Sequence, residues 1–127
     1  MKIKVMLNGS PKQFYTEPGE KVRDLLHREG ILSVRNGCDG EGSCGNCSII
    51  LNGKVVNSCL LVAPQIDGKE IITVDYFSKN RELTAIQTAF IDSGIVQCGY
   101  CTPAMVLAIH NLFEKFDNPN KTQIKDA

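Results

Sequence analysis

The segment that decides the fold of this chain is Asn36-Gly37-Cys38-Asp39-Gly40-Glu41-Gly42-Ser43-Cys44-Gly45-Asn46-Cys47. It holds three cysteines and four glycines and no large apolar side chain. Hydrophobic burial therefore cannot organise it, because there is almost no apolar surface to remove from water. The composition predicts a loop that folds around a group bound by thiolates.

The rest of the composition is that of a globular protein. The chain has 127 residues, of which 43% are hydrophobic and 22% are charged, enough for one domain or two small ones. Fourteen basic and fourteen acidic residues give a net charge of zero, which argues against a partner such as nucleic acid or an anionic membrane. No apolar run approaches the roughly 20 residues of a membrane span. We therefore expect a cytoplasmic protein with reduced thiols.

Six cysteines in a reducing compartment more often bind metal or do redox chemistry than form disulfides. Four of them have the spacing C-x5-C-x2-C-x11-C, at Cys38, Cys44, Cys47 and Cys59. Two irons and two sulfides need four converging thiolates. A zinc knot, a redox pair or unrelated buried cysteines are the alternatives, but zinc sites usually consist of two separated C-x2-C pairs. The pattern favours a [2Fe-2S] centre.

Glycines occur in this loop where the backbone must wrap a cluster closely. Glycine has no Cβ to clash and tolerates positive φ, so its N–H groups can turn toward sulfur. We therefore assign cofactor-binding backbone positions to the four glycines of the loop, which are Gly37, Gly40, Gly42 and Gly45.

Periodicity and turn signals predict an α+β unit followed by helices. The first unit ends near Tyr76, a polar linker covers 77–83, and a helical part covers 84–127. Thr102 is the predicted N-cap of the principal helix, which continues to Phe116. The predicted elements before it are strands at 2–7, 13–16, 48–51, 54–58 and 70–75 and helices at 20–29 and 84–92.

The glycine-rich loop resembles that of the small iron–sulfur subunit of molybdenum hydroxylases, the family of xanthine dehydrogenase, carbon monoxide dehydrogenase and aldehyde oxidoreductase. The short gap to Cys59 is similar to the family pattern. The family usually has four residues between its first two loop cysteines, and this chain has five, as adrenodoxin-type loops do. The resemblance implies a β-grasp ferredoxin-like domain over 1–76 and a helical [2Fe-2S]-binding domain over 84–127.

A second stretch, Gln97-Cys98-Gly99-Tyr100-Cys101-Thr102-Pro103-Ala104-Met105, resembles the other cluster signature of this family, with Ala104 where glycine is usual. The resemblance implies that Cys98 and Cys101 hold half of a second [2Fe-2S] cluster at a helix N-terminus. It also implies that Gln97 lies beside the molybdopterin of a large subunit. A thioredoxin-like dithiol is the alternative, but such pairs follow a strand, and the preceding segment here is a predicted helix.

Family members continue into a Cys-x-Cys that would complete the second cluster, and this sequence has none after Cys101. The helical domain is truncated, or a contiguous fragment supplies the missing pair, or the second cluster is lost; we expect one of the first two. The resemblance implies electron transfer from a molybdopterin centre on a large subunit, through both clusters, to FAD on a medium subunit. The chain itself is then a non-catalytic part of an oxidoreductase. A free-standing ferredoxin and a zinc-stabilised interaction module are the alternative functions.

Three further side chains have structural interpretations. His27 and His110 are predicted to be solvated or packed rather than ligands, because four thiolates already satisfy the first site. Tyr100 lies between two proposed ligands, where it either shields the second cluster or simply packs.

Overall fold

The computed structural model describes residues 1–80 and 84–127, and it describes the side chains of all of these except 78–80 and 84. The first half contains strands β1 to β5 and one helix, and the second half is helical. The strands are β1 (Lys2–Leu7), β2 (Ser10–Tyr15), β3 (Ser48–Leu51), β4 (Lys54–Asn57) and β5 (Glu70–Ile72). The α-helices are α1 (Val22–Arg28), α2 (Asp75–Asn80), α3 (Thr84–Ser93), α4 (Thr102–Lys115) and α5 (Lys121–Asp126).

One five-stranded mixed sheet forms the framework, in the order β2-β1-β5-β3-β4. The β1–β5 pair is parallel, and the other three pairs are antiparallel. Ile3, Val5 and Leu7 alternate with exposed residues along β1 and are buried, as the period of two requires. Helix α1 packs Leu25 and Leu26, both fully buried, into the same core. This arrangement confirms the predicted α+β, β-grasp fold.

The helical half packs on the sheet through a second apolar cluster. Ile50 of β3 contacts a group that includes Phe90 of α3 and Val106 and Leu107 of α4. Helix α3 precedes the second cysteine pair, as predicted.

The predicted linker over 77–83 is wrong where the structure describes it. Residues 75–80 form helix α2, and Phe77 is only 2% exposed. Its ring lies 4.3 Å from the imidazole of His110, measured between centroids. Burial of one large aromatic side chain outweighs the polar composition of its neighbours. Residues 81–83 of the predicted linker lie outside the described residues.

Other predicted boundaries also differ, and strand β2 begins at Ser10, three residues before its predicted start. Strand β5 ends at Ile72 instead of residue 75, because the backbone N–H of Thr73 donates to Asn8 Oδ1 over 2.8 Å. Helix α4 has Cys101, not Thr102, as its N-cap, so Thr102 is already helical. In the described part of the chain, no helix combines the length and apolarity needed to cross a membrane.

Candidate metal centre

The four cysteines of the first motif differ in exposure. Cys47 and Cys59 are buried in the first apolar core at 2% and 3% exposure, Cys38 is half-buried, and Cys44 is exposed. Cys47 ends the glycine-rich loop just before β3, and Cys59 lies in a 3-10 turn, Ser58–Leu60, just after β4. The β3–β4 hairpin thus brings the fourth cysteine back to the other three. All six cysteines of the chain are free thiols.

Backbone N–H groups surround the sulfurs of this motif. The N–H of Asn46 donates to Cys44 Sγ over 3.4 Å, and that of Cys59 donates to Cys47 Sγ, also over 3.4 Å. The N–H groups of Cys44 and Ser43 act on Cys38 and lower its pKa. The N–H of Gly42 acts in the same direction on the pKa of Cys59, against the larger effect of burial. A neutral N–H donor can favour the charged form of a thiol without bringing a counter-ion.

These surroundings move two thiol pKa values in opposite directions. The N–H groups of Cys44 and Ser43 lower the pKa of Cys38 to about 6, which favours a thiolate. Burial, together with the neighbouring Cys47 and Cys38, raises the pKa of Cys59 to about 11. Cys59 therefore carries a thiolate only where positive charge compensates it. Bound iron supplies such a charge, because a coordinating metal deprotonates its thiol ligands.

The fifth residue between Cys38 and Cys44 is accommodated by a tight turn. The N–H of Glu41 donates to the carbonyl of Cys38 over 3.3 Å. The two central residues, Asp39 and Gly40, have φ of +56° and +85°. Two successive positive φ values are those of a type I′ turn, which asparagine, aspartate and glycine tolerate best. The Asp-Gly pair is thus the local reason that the longer loop closes.

Glycine is needed at position 37 because neighbouring atoms lie too close for a Cβ, and not because its φ is positive. A Cβ at this position would lie 2.3 Å from Asn46 Nδ2 and 3.1 Å from Cys44 Sγ. The backbone of Asn46 is held by the N–H of Arg35, which donates to its carbonyl over 3.0 Å, whereas its side-chain amide could turn aside. The tight contact with Cys44 is the one that the absence of a side chain at residue 37 avoids.

The second cysteine pair lies on the surface. Cys98 and Cys101 are both exposed, and so is Gln97. Cys101 caps α4, so the unpaired N–H groups of the first helical turn lie next to it. Gly99, between the two cysteines, has a φ of +80°. The structure does not bring this pair together with the four cysteines of the first motif into one site.

A clasp of three residues, Arg35, Asn36 and Tyr100, joins the two motifs. The hydroxyl of Tyr100 donates to the carbonyl of Asn36 over 2.7 Å, and the N–H of Asn36 donates to that hydroxyl over 3.1 Å. Arg35 Nη1 donates to the carbonyls of Gly99 and Tyr100, both over 2.9 Å. Its guanidinium carbon lies 5.1 Å from the Tyr100 ring centroid, within cation–π range.

The donor set fits a binuclear cluster. Among the described residues, no three His, Cys, Asp or Glu side chains are grouped so that they could hold a metal ion. A [2Fe-2S] centre sets a different requirement, because each iron takes two protein sulfurs and the four thiolates surround a larger group. Cys38, Cys44, Cys47 and Cys59 are the residues that could supply these four thiolates, and Gly37 leaves room beside Cys44.

Comparison with known proteins bears on the same two motifs. The 2Fe-2S iron-sulfur cluster binding domain matches residues 5–75, and the [2Fe-2S] binding domain matches residues 73–127. The chain is 39% identical to the nicotinate dehydrogenase small FeS subunit of Eubacterium barkeri, over 98% of this chain and 80% of that protein. It is also 39% identical to the xanthine dehydrogenase iron-sulfur-binding subunit of Escherichia coli O157:H7, over 89% of this chain and 70% of that protein.

The chain belongs to the family of small iron–sulfur subunits of molybdenum hydroxylases. Quinoline 2-oxidoreductase from Pseudomonas putida 86 has a chain of similar structure, with a TM-score of 0.90 and 32% identity over 99% of this chain and 78% of that chain. The probable hypoxanthine oxidase XdhD of Escherichia coli (strain K12) is 42% identical over 100% of this chain, which spans only 13% of that protein. The subunit-sized relatives and the long one thus share this region.

Several residues of the site were not predicted from the sequence. Asn46 and the clasp residues Arg35 and Asn36 are polar residues in or beside a loop, and such residues are usually solvated. The sequence signal for Tyr100 was its position between two cysteines, but its partner lies 64 residues away. His27 and His110 are half-buried: the former contacts the carbonyl of Val34 through its Nε2, and the latter packs on an aromatic ring.

Proposed function

We propose that this chain is the electron-transfer subunit of a multi-subunit molybdenum hydroxylase. One [2Fe-2S] centre is held by Cys38, Cys44, Cys47 and Cys59. The observation that carries the proposal is that the β3–β4 hairpin returns Cys59 to the loop, where its N–H donates to Cys47 Sγ over 3.4 Å, while the N–H of Asn46 donates to Cys44 Sγ over 3.4 Å. When bound, a [2Fe-2S] centre supplies one-electron transfer at a potential that depends on such hydrogen bonds.

The chain's own residues then ligate the centre and control its surroundings. The N–H donors of the loop stabilise negative charge on the sulfurs, and the buried pair, Cys47 and Cys59, keeps one side of the site away from water. The loop glycines, Gly37, Gly40, Gly42 and Gly45, allow the backbone to approach. A Cβ on Gly42, for example, would lie 2.8 Å from Leu60 Cδ1.

Cys98 and Cys101 supply two ligands of a second [2Fe-2S] centre in this proposal. Four cysteines bind the first centre and two bind the second, so the chain has no further cysteine to complete the second centre. Two further sulfur ligands therefore come from outside these 127 residues, for example from a contiguous fragment with a Cys-x-Cys. The meeting point of the two family matches, at residues 73–75, supports a division into domains over 1–76 and 84–127.

The substrate chemistry belongs to partner subunits. We assign molybdopterin to a large subunit and FAD to a medium subunit, as the family resemblance implies; one relative is named as the small FeS subunit of a nicotinate dehydrogenase and another as the iron-sulfur-binding subunit of a xanthine dehydrogenase. Exposed Gln97, next to the exposed cysteine pair, is the residue we place toward the molybdopterin. In this proposal, electrons pass from the second centre to the first centre and then to the flavin.

Exposed apolar residues favour a subunit over a free-standing ferredoxin. Met105 and Phe113 on α4 are 48% and 51% exposed, and Ile91 on α3 is 75% exposed. A carrier that works alone in water is expected to present a more polar surface on these helices. Protein partners that cover α3 and α4 remove this apolar area from water.

Metal analysis separates the iron–sulfur assignment from a zinc-stabilised module. The full chain, purified without oxygen, is expected to be reddish-brown and to contain iron and acid-labile sulfide in equal amounts. Cys47→Ser removes a proposed ligand of the first centre and should abolish this iron and the colour. Cys98→Ser is the matched control and should leave them. A colourless wild-type protein that contains zinc would overturn the proposal.

A further inference from the structure

One side-chain nitrogen of Arg23, on α1, is buried and has no hydrogen-bond partner among the described residues. Its Nε and Nη2 both donate to Asp24 Oδ1, over 2.8 Å and 2.6 Å. The third nitrogen, Nη1, is buried and has no hydrogen-bond partner, and no other buried side-chain nitrogen or oxygen of the described residues is left in this state. An unsatisfied buried donor costs about 1–3 kcal/mol, and more when it is charged.

The unpartnered nitrogen faces the cluster-binding loop. A Cβ placed on Gly40, in the turn after Cys38, would lie 3.8 Å from Arg23 Nη1. The pKa of Arg23 is raised first by its hydrogen bond to Asp24, and also by the negative charge of Cys59 and Cys47. The guanidinium therefore lies within electrostatic reach of two of the four proposed ligands, and its side chain is only 15% exposed.

We infer that Arg23 is a positioning and tuning residue for the first [2Fe-2S] centre, whose Nη1 donates a hydrogen bond to sulfur at that centre and whose charge raises its reduction potential. The inference rests on the proposed function. Bound sulfur supplies the acceptor that the chain alone lacks, which explains why a buried N–H points into the loop without a partner.

The sign follows from charge. Reduction adds one electron to a site that already carries thiolate charge, and a partly buried cation stabilises the more negative state. Asp24 has a second part in this arrangement. Its carboxylate, which is 50% exposed, lies on the solvent side of Arg23 and accepts from two of the three guanidinium nitrogens. Because the guanidinium is planar, these two bonds fix its orientation and direct Nη1 toward the loop.

Redox titration of the purified complex, followed by electron paramagnetic resonance, tests the inference. Arg23→Gln should make the first centre harder to reduce, with the ratio of reduced to oxidised form at the wild-type midpoint falling about tenfold, or about 59 mV for one electron. Arg23→Lys keeps the positive charge but lacks the planar guanidinium, so the reduction potential should fall less than in Arg23→Gln. Arg28→Gln, a more exposed cation on the same helix, is the matched control and should cause no shift.

A second variant keeps the inference testable if Arg23→Gln does not assemble. Asp24→Asn keeps a side-chain oxygen that can accept from Arg23 but removes a half-exposed negative charge, so it should raise the potential of the first centre, in the opposite direction. The second centre serves as an internal reference and should not move in any variant. Unchanged potentials in Arg23→Gln and Asp24→Asn would overturn the inference, whereas the absence of iron–sulfur signals from the wild-type complex would overturn the proposed function.

Discussion

The Tyr100 hydroxyl and the backbone of Asn36 exchange two hydrogen bonds, one donated over 2.7 Å and one accepted over 3.1 Å. Tyr100 lies directly before Cys101, and Asn36 lies two residues before Cys38. A short path of covalent and hydrogen bonds thus connects a proposed ligand of one centre with a proposed ligand of the other. This contact fixes the second cysteine pair against the first loop.

Removal of the Tyr100 hydroxyl is expected to loosen this contact. In Tyr100→Phe the ring remains beside Arg35, but both hydrogen bonds to Asn36 are lost. The contact is partly exposed, so the free energy of unfolding should fall by about 1 kcal/mol. Amide hydrogen exchange should increase at 35–38 and 98–101. Tyr15→Phe, at a side chain that is 71% exposed, is the control and should change neither quantity.

A methyl group at Gly37 is expected to prevent assembly of the first centre. In Gly37→Ala the new Cβ would lie 2.3 Å from Asn46 Nδ2 and 3.1 Å from Cys44 Sγ, so the Asn46 amide must turn aside and Cys44, a proposed ligand, must shift. Iron content per chain should fall several-fold. Gly19→Ala, where nothing lies within 4 Å of the added Cβ, should keep its iron. Full iron content in Gly37→Ala would contradict the role we give to this glycine.

Phe77 is expected to be a main link between the sheet and α4. Truncation in Phe77→Ala removes a ring that is 2% exposed and packs on the rings of His110 and Tyr76. Buried Phe→Ala changes cost about 3–5 kcal/mol. Urea denaturation of the full chain should show that the free energy of unfolding falls by this amount. Phe113→Ala, at a ring that is 51% exposed, should cost much less, and equal losses in the two variants would contradict this account.

Local signals in the sequence predicted most of the sheet. The Asn52-Gly53 turn fixed the β3–β4 hairpin within one residue, and alternation in β1 identified the strand and its buried face. The cysteine spacing predicts that Cys38, Cys44, Cys47 and Cys59 form one site, and this stays a prediction. Such features depend on neighbours a few residues apart, so a single sequence contains them.

The sequence did not predict features that depend on residues far away along the chain. Phe77 is surrounded by polar residues in sequence, and only its packing on α4 makes it core. Strand β5 is shorter than predicted because Thr73 bonds with Asn8, 65 residues earlier. Arg23 follows a buried valine on α1 and resembles a solvated cation in sequence, yet Nη1 is buried beside Gly40. No local pattern encodes these contacts.

The most direct test of the central claim is electron paramagnetic resonance of the dithionite-reduced complex, purified with its partner subunits. The account predicts two distinct [2Fe-2S] signals, of which Cys47→Ser removes one and Cys98→Ser removes the other. A single signal in a complete complex, or the loss of both signals in Cys98→Ser with the first loop intact, would contradict the assignment of two separate centres to these two cysteine motifs.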